Sequence, residues 1–241
     1  MSRETENALL LMVGISTALV AASGTFTRYV KPGLLPWLVI SAAALIALAV
    51  VSIVRELRHP RPNDHAGHDG HSHGGGVVWA LGLPVVVLSF VVPPALSPRA
   101  ATATVLNVSN DVLRHAYPPL SAGAAPELSL PATVTRATYD SAGSLNGRTI
   151  TVVGFTYKDG PTTDLARVTI TCCAADARLY RLQLTGPAAV HVSALPENTW
   201  VRVQGMASPP KQDDPQSVPT LEVSSADQIS VPADQYAYLT Q

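Results

Sequence analysis

Gly147-Arg148-Thr149-Ile150-Thr151-Val152-Val153-Gly154 is the stretch that decides the fold of the C-terminal half. Its β-branched residues, framed by two glycines, predict a strand that follows the turn at Asn146-Gly147. Further runs of the same kind, separated by turn residues, extend this pattern along the chain. The predicted strands are Thr133–Tyr139, Arg148–Tyr157, Leu165–Cys173, Leu179–Thr185, Thr199–Met206 and Thr220–Val231.

About five strands of this length predict a small barrel, with a connector at 187–198 that lacks a strand pattern. The 147–154 stretch resembles the first strand of OB-folds, and Trp200-Val201-Arg202-Val203-Gln204-Gly205 resembles a later one. The OB-fold is a five-stranded, partly open barrel whose strand face and loops bind ligands. We therefore predict an all-β, OB-fold-like barrel at 133–241, preceded by a polar linker at 99–132.

Both cysteines of the chain lie side by side in Ile170-Thr171-Cys172-Cys173-Ala174-Ala175-Asp176-Ala177. Adjacent side chains of a strand point to opposite faces, so we expect one cysteine in the core and one on the surface. Asp176 is then expected to fold back toward the exposed sulfur. A thiolate beside a carboxylate suits zinc or another divalent transition metal, and His191 is the residue that could complete the site.

Two other interpretations of this stretch remain open. Cys172 and Cys173 could form a vicinal disulfide that acts as a redox switch. Alternatively, buried cysteines act as small hydrophobic residues, and Asp176 only caps a turn.

The N-terminal part, residues 1–98, contains three long apolar segments at about 8–27, 36–54 and 77–96. Each is long enough to cross a hydrocarbon core of about 30 Å, and together they predict three transmembrane helices. Small residues in the first segment would let it pack closely on another helix. A cleaved signal peptide is the competing interpretation of that segment, because Ala21-Ala22-Ser23 resembles a cleavage site.

A loop rich in proline, glycine and histidine separates the second and third segments at 59–76. Neutral imidazole is a common ligand of transition metals, and several histidines in a flexible stretch can surround one ion. The loop therefore predicts a weak metal site, with a solvated linker as the alternative. Its candidate ligands are His65, His68, His71 and His73.

The distribution of charge predicts how a multi-pass membrane protein is oriented. Lysines and arginines in short loops are enriched on the cytoplasmic side of a membrane. Four of them lie in the leader and the second loop, and three lie close to the membrane on the opposite side. This balance predicts an extracytoplasmic C-terminal domain. A net charge of −1 argues against a nucleic-acid partner, since nucleic-acid binding needs a clustered basic face.

Enzyme motifs are not found in the chain. It has no glycine-rich phosphate loop, no His-Glu-x-x-His and no Gly-x-Ser-x-Gly. The sequence thus favours binding over catalysis.

Several pieces of the sequence resemble the YcgQ-like family of permease subunits from bacteria. The similarity extends over nearly the whole chain, and Cys-Cys-Ala-Ala-Asp-Ala is its most specific part. The matching pieces are Tyr29-Val30-Lys31-Pro32, Gly154-Phe155-Thr156-Tyr157, 170–177 and Pro232-Ala233-Asp234-Gln235-Tyr236-Ala237-Tyr238.

The resemblance implies a membrane-anchored accessory subunit that works beside a multi-spanning, permease-like partner in the lipid bilayer. Its β-domain would bind a small substrate, for which we predict a divalent metal ion or metal complex. The alternatives are a membrane-tethered thiol-redox protein that uses Cys172 and Cys173, and a purely structural scaffold for the permease.

Overall fold

The computed structural model of the chain describes residues 3–58, 101–103, 114–211 and 217–238. It divides into two compact units, Met1–Ala95 and Leu96–Gln241, and each is considered by itself. The predicted third membrane segment at 77–96 and the histidine loop at 59–76 lie outside the described residues, so both stay predictions.

Two helices form the described part of the first unit: α1 at Arg3–Ala22 and α2 at Leu35–Arg58. By length and composition, the helical stretch Pro32–Arg58 could cross a membrane, and Glu6–Ala22 is a shorter apolar helix. The first helix ends at Ala22 and not at residue 27 as predicted. Gly24 explains the difference, because its left-handed backbone (φ 72°) stops the helix there.

The two helices pack closely through small residues, as the sequence predicts for the first segment. A Cβ atom at Gly14 would lie only 2.8 Å from Cγ1 of Ile46, so the backbone of α1 touches α2 at this point. Ala42 and Ala49 are buried on α2. The other faces of α2 expose large apolar side chains, which suits a lipid environment. Examples are Trp37, Ile40 and Leu48.

In its described residues, the second unit is built on one mixed sheet of seven strands, which includes the 147–154 stretch, together with two short helices. The strands are β1 (Thr102–Ala103), β2 (Glu127–Leu128), β3 (Thr149–Asp159), β4 (Thr162–Thr169), β5 (Arg178–Thr185), β6 (Trp200–Ser208) and β7 (Thr220–Gln228), and the helices are α3 (Leu130–Tyr139) and α4 (Ala189–Ser193).

Five of these strands close into a ring. Strands β3, β4 and β5 form an antiparallel meander, and β5 then pairs in parallel with β7. Strand β7 pairs antiparallel with β6, and β6 returns to β3, which completes the circuit. The short strands β1 and β2 extend the sheet by parallel pairing with β5 and β3.

The inside of the ring is the hydrophobic core. Side chains alternate between the two faces of each strand, and the inward set is fully buried. Strand β6 shows this best, because its residues alternate between buried and exposed over most of its length. Residues with no solvent exposure include Ile150, Leu165, Leu182, Val203 and Leu221.

Two glycines let strands approach where the ring bends. At Gly154, β3 passes from pairing with β6 to pairing with β4, and a Cβ there would lie 2.7 Å from the carbonyl oxygen of Ala166. At Gly205, a bulge in β6 brings the carbonyl oxygen of Glu222 to the place that a Cβ would occupy. Any larger residue would collide with backbone at either position.

The predicted strand at 133–139 is wrong, because this segment belongs to helix α3. Ser129 caps the helix, its hydroxyl accepting the N–H of Ala132 at 3.3 Å, and Pro131 lies in the first turn. Both are helix-start signals that outweigh the β preference of the threonines and valine that follow. Burial of Leu130 and Val134 against the ring then stabilises the helix.

Candidate metal site

The two cysteines lie in the turn between β4 and β5. Strand β4 ends at Thr169, three residues before Cys172, so the alternation expected for a strand does not apply. Cys172 is exposed, Cys173 is half-buried, and their sulfur atoms are 3.7 Å apart as free thiols. The prediction that one cysteine faces the core is therefore wrong, and so is the interpretation of a buried hydrophobic pair.

Asp176 organises this turn. Its Oδ1 accepts the N–H of Thr171 at 2.7 Å, and its Oδ2 accepts the N–H groups of Cys172 at 2.7 Å and Cys173 at 3.3 Å. In return, the backbone N–H of Asp176 donates to the sulfur of Cys173, which caps a single 3-10 turn at Ala174–Asp176. These N–H groups cannot pair with another strand, which explains why β4 stops. The expectation that Asp176 folds back toward the cysteines agrees with this geometry.

The hydrogen bonds hold Asp176 ionised and Cys172 protonated. The Asp176 side chain accepts a hydrogen bond from the thiol of Cys172, and this bond, followed by the contact with Cys173, raises the pKa of Cys172 to about 11. Partial burial acts to raise the pKa of Asp176, but the bonds from the thiol and the three N–H groups lower it to about 2. At neutral pH the turn thus presents a carboxylate beside a neutral thiol.

Three potential metal ligands converge in this turn. The sulfur atoms of Cys172 and Cys173 and a carboxylate oxygen of Asp176 all lie within 4.8 Å of one another. His191, proposed above as a fourth ligand, lies on α4 and is not part of this group. His65, His68, His71 and His73 lie outside the described residues.

A second cluster of polar side chains surrounds Asp164 on β4. Its side chain is almost fully buried, with Oδ2 3.4 Å from Nη1 of Arg181 and Oδ1 without a hydrogen-bond partner among the described residues. Arg181 also pairs with the exposed carboxylate of Asp159 and lies over the ring of Tyr157. Burial raises the pKa of Asp164 to about 6, although Arg181 opposes the shift.

Sequence reasoning missed a contact between β4 and the last described residues. Arg167 lies on β4 and donates to the carbonyl oxygens of Asp234 and Tyr236. An arginine among the apolar residues Leu165, Ala166 and Val168 was the available signal, since a charge in such surroundings is normally paired.

Comparisons with known proteins describe only part of the chain. No curated protein matches it. Seven chains of solved structures match, among them a crystal structure described as an aspartyl-tRNA synthetase from Leishmania major Friedlin, with 10% identity. That match covers 51% of this chain and 25% of the other, and the TM-score of 0.28 indicates no common fold. Residues 132–239 match the family model of the DUF1980 C-terminal domain, an uncharacterised domain.

Proposed function

We propose that the chain is a membrane-anchored binding protein whose C-terminal barrel holds a thiophilic divalent metal ion or metal complex at Cys172, Cys173 and Asp176. Zinc is the first candidate. The convergence of two sulfur atoms and a carboxylate within 4.8 Å is the observation that carries this proposal.

The spacing of the sulfur atoms suits a tetrahedral ion. With Zn–S bonds of about 2.3 Å, two thiolates of a tetrahedral site are about 3.8 Å apart. The sulfur atoms of Cys172 and Cys173 are 3.7 Å apart before any ion binds. Little movement of the turn is then needed to hold zinc.

The thiol of Cys172 lies beside the carboxylate of Asp176 and the sulfur of Cys173, and the proposed place for the ion is between these groups. Metal ligation deprotonates a thiol, so a cation that enters this position replaces the proton and keeps its two neighbours together. Three ligands leave one tetrahedral position open for water or a donor from another molecule. An open, exposed site suits a protein that receives and releases its ion.

The ring of strands supports an OB-like fold for the domain. Its pairing order runs β3-β4-β5-β7-β6 and back to β3, with β5 and β7 parallel and the short helix α4 between β5 and β6. The number of strands in the ring and their non-sequential pairing agree with that fold, a five-stranded, partly open barrel whose loops and strand face bind ligands. The cysteine turn is one such loop, between the second and third strands of the ring.

The helical unit supplies the membrane anchor in this proposal. We propose that α1 and α2 lie in a bacterial cell membrane beside a multi-spanning, permease-like partner, as the YcgQ-like resemblance implies. The small residues between the helices and the exposed apolar faces of α2 support this placement. The excess of cytoplasmic arginines favours an extracytoplasmic barrel, and the protein acts by binding and not by catalysis.

The test is the zinc content and affinity of the full chain, purified in detergent. We expect one ion per chain, and we expect Cys172→Ser combined with Cys173→Ser to abolish its binding. Deletion of residues 59–76 distinguishes a second, weaker site in the histidine loop. Stoichiometric zinc in the double cysteine variant would show that the proposal is wrong.

The contact between the two free thiols also supports thiol-redox chemistry as a second candidate. A disulfide would need the sulfur atoms to approach from 3.7 Å to about 2.05 Å. The raised pKa of Cys172 disfavours this, since the thiolate is the reactive form. Alkylation before and after reduction separates the candidates, because a redox protein gains two reactive thiols only after reduction.

A purely structural scaffold is the third candidate. It would keep its partner and its stability when both cysteines are replaced.

A further inference from the structure

The last described residues run alongside β4 where it enters the cysteine turn. The N–H of Ala237 donates to the carbonyl oxygen of Val168 at 2.9 Å, and the N–H of Ile170 donates to that of Ala237 at 3.4 Å. Ala237 is thereby paired in parallel with Thr169. The next residue, Thr171, is the first whose N–H bonds Asp176. Ala237 is therefore bonded to Val168 and Ile170, shortly before the metal-ligand turn.

The edge of β4 beside Ala237 is open because the pairing of β3 with β4 ends before β4 does. The pairing between the two strands ends at Phe155 and Ala166, and the part of β3 before Phe155 pairs with β6 and with the short strand β2 instead. The second half of β4 would otherwise present unpaired backbone groups at an edge. The segment 234–238, called the C-terminal clip below, lies along that edge.

Arg167 holds the clip in place. Its Nη2 donates to the carbonyl oxygen of Asp234 at 2.6 Å and to that of Tyr236 at 3.4 Å. Its guanidinium carbon lies 4.7 Å from the ring centre of Trp200. The Tyr236 side chain is buried. Hydrogen bonds from a charged donor are among the stronger ones in proteins, so Arg167 is the main fastening of the clip.

We propose that the C-terminal clip, fastened by Arg167, is the positioning element of the cysteine turn. It fixes the end of β4 on both sides of Thr169, so the N–H groups of Thr171, Cys172 and Cys173 converge on Asp176. Its effect on metal binding rests on the function proposed above, whereas its effect on the turn does not. Loosening the clip frees the end of β4, and the three ligand atoms then separate.

The experiment compares variants of the full chain in detergent by two measurements. Amide hydrogen exchange at 171–173 reports the turn without any metal, and competition with a chromophoric chelator gives the zinc affinity. The variants are Arg167→Ala, Arg167→Lys and Ala237→Pro, which removes the N–H bonded to Val168 and keeps the carbonyl that accepts from Ile170. Arg136→Ala is the matched control.

The control removes a similar arginine from another place. Arg136 also donates to a main-chain oxygen, that of Pro118 at 2.8 Å, and lies over an aromatic ring, that of Tyr117 at 5.0 Å. Its loss should leave both measurements at the wild-type value.

We expect Arg167→Ala and Ala237→Pro each to speed exchange at 171–173 and to weaken zinc binding by about ten-fold, the effect of losing one such hydrogen bond. Arg167→Lys should restore part of both values.

Unchanged exchange in Ala237→Pro would overturn the proposal even if Arg167→Ala does not fold. Faster exchange with unchanged zinc affinity would also overturn it. If the wild type binds no zinc, the proposed function fails, and the exchange rates still decide whether the clip positions the turn.

Discussion

The Asp176 carboxylate holds Cys172 by two groups at once, accepting its backbone N–H at 2.7 Å and the hydrogen of its thiol. The bond to the N–H shapes the turn, whereas the bond to the thiol occupies the place that a metal ion would take. The same carboxylate is therefore both a structural cap and a candidate ligand. Because a cap and a ligand respond differently to substitution, the two roles can be separated.

We expect Asp176→Asn to weaken zinc binding by at least about ten-fold, since a neutral amide is a poor ligand for the ion. It should also lower the free energy of unfolding by about 1 kcal/mol, because one of the two oxygens that accept N–H groups becomes an NH2 group that cannot accept them. Zinc titration and urea unfolding of the full chain measure the two effects.

Asp140 provides the control for this comparison. It caps a turn by accepting N–H groups of Tyr117 at 3.2 Å, Ala142 at 2.9 Å and Ser144 at 2.8 Å, with no cysteine nearby in the sequence. Its pKa is also lowered to about 2, burial acting against the shift and bonds with Ser144, Tyr117 and Ala142 causing it. Asp140→Asn should lower stability similarly and leave zinc affinity unchanged. Equal losses of affinity in both variants would show that Asp176 is only a cap.

Cys172 should react slowly with iodoacetamide at pH 7.5. Its pKa of about 11 leaves little thiolate, and removal of the hydrogen-bonded carboxylate in Asp176→Ala should speed alkylation by about ten-fold or more. The rate is best measured in a Cys173→Ser background, with Asp159→Ala as the control because Asp159 ends β3, next to the start of β4 and not to the cysteine turn that follows its end. A Cys172 that already reacts as fast as an ordinary cysteine would contradict the hydrogen-bonded arrangement.

The strands that build the ring were predictable because their apolar residues alternate or run continuously between clear turns. The prediction at 148–157 differs from β3 by one or two residues at each end, and β5 begins one residue before its predicted start. The helix at 130–139 was not predicted because threonine and valine favour strands. The cap at Ser129 and the burial of the segment against the ring stabilise a helix instead. Local preference gives way to tertiary contacts in such short segments.

The metal-ligand turn was predictable in its members but not in its shape. Cys172, Cys173 and Asp176 were identified from residue type alone, since thiols and carboxylates bind metals. Their arrangement depends on Asp176 accepting the backbone N–H groups of 171–173, just after β4, and the alternation of a strand does not predict such bonds. The support from Arg167 and Ala237 joins positions about 70 residues apart, and no local pattern reveals such a contact.

Barrel stability should fall as the pH rises from about 4 to about 6, because of Asp164. Burial raises its pKa to about 6 in the folded protein, while the unfolded chain releases the proton near pH 4. The folded state thus binds more protons in this range, and stability decreases with pH by on the order of 2 kcal/mol. Urea unfolding of the full chain across this range measures the change.

Asp164→Asn should remove most of this dependence, because the amide carries no charge to bury. Asp159→Asn should keep most of the dependence, because Asp159 is exposed and raises the pKa of Asp164 less than burial does. If the wild type and Asp164→Asn follow parallel curves between pH 4 and 6, then Asp164 does not hold its proton in the folded barrel.

The contact between α1 and α2 should be lost when Gly14 is replaced by a larger residue. A leucine there would meet Cγ1 of Ile46 and also its backbone nitrogen, which lies 3.2 Å from the position of a Cβ and cannot move aside by rotation of a side chain. We expect Gly14→Leu to lower the stability of the helical unit by about 1–3 kcal/mol, the usual result of overpacking. Gly33→Leu is the matched control, because nothing lies within 4 Å of a Cβ at Gly33. Thermal unfolding followed by the helical circular dichroism signal in detergent measures both variants, and equal midpoints would mean that α1 and α2 do not meet at Gly14.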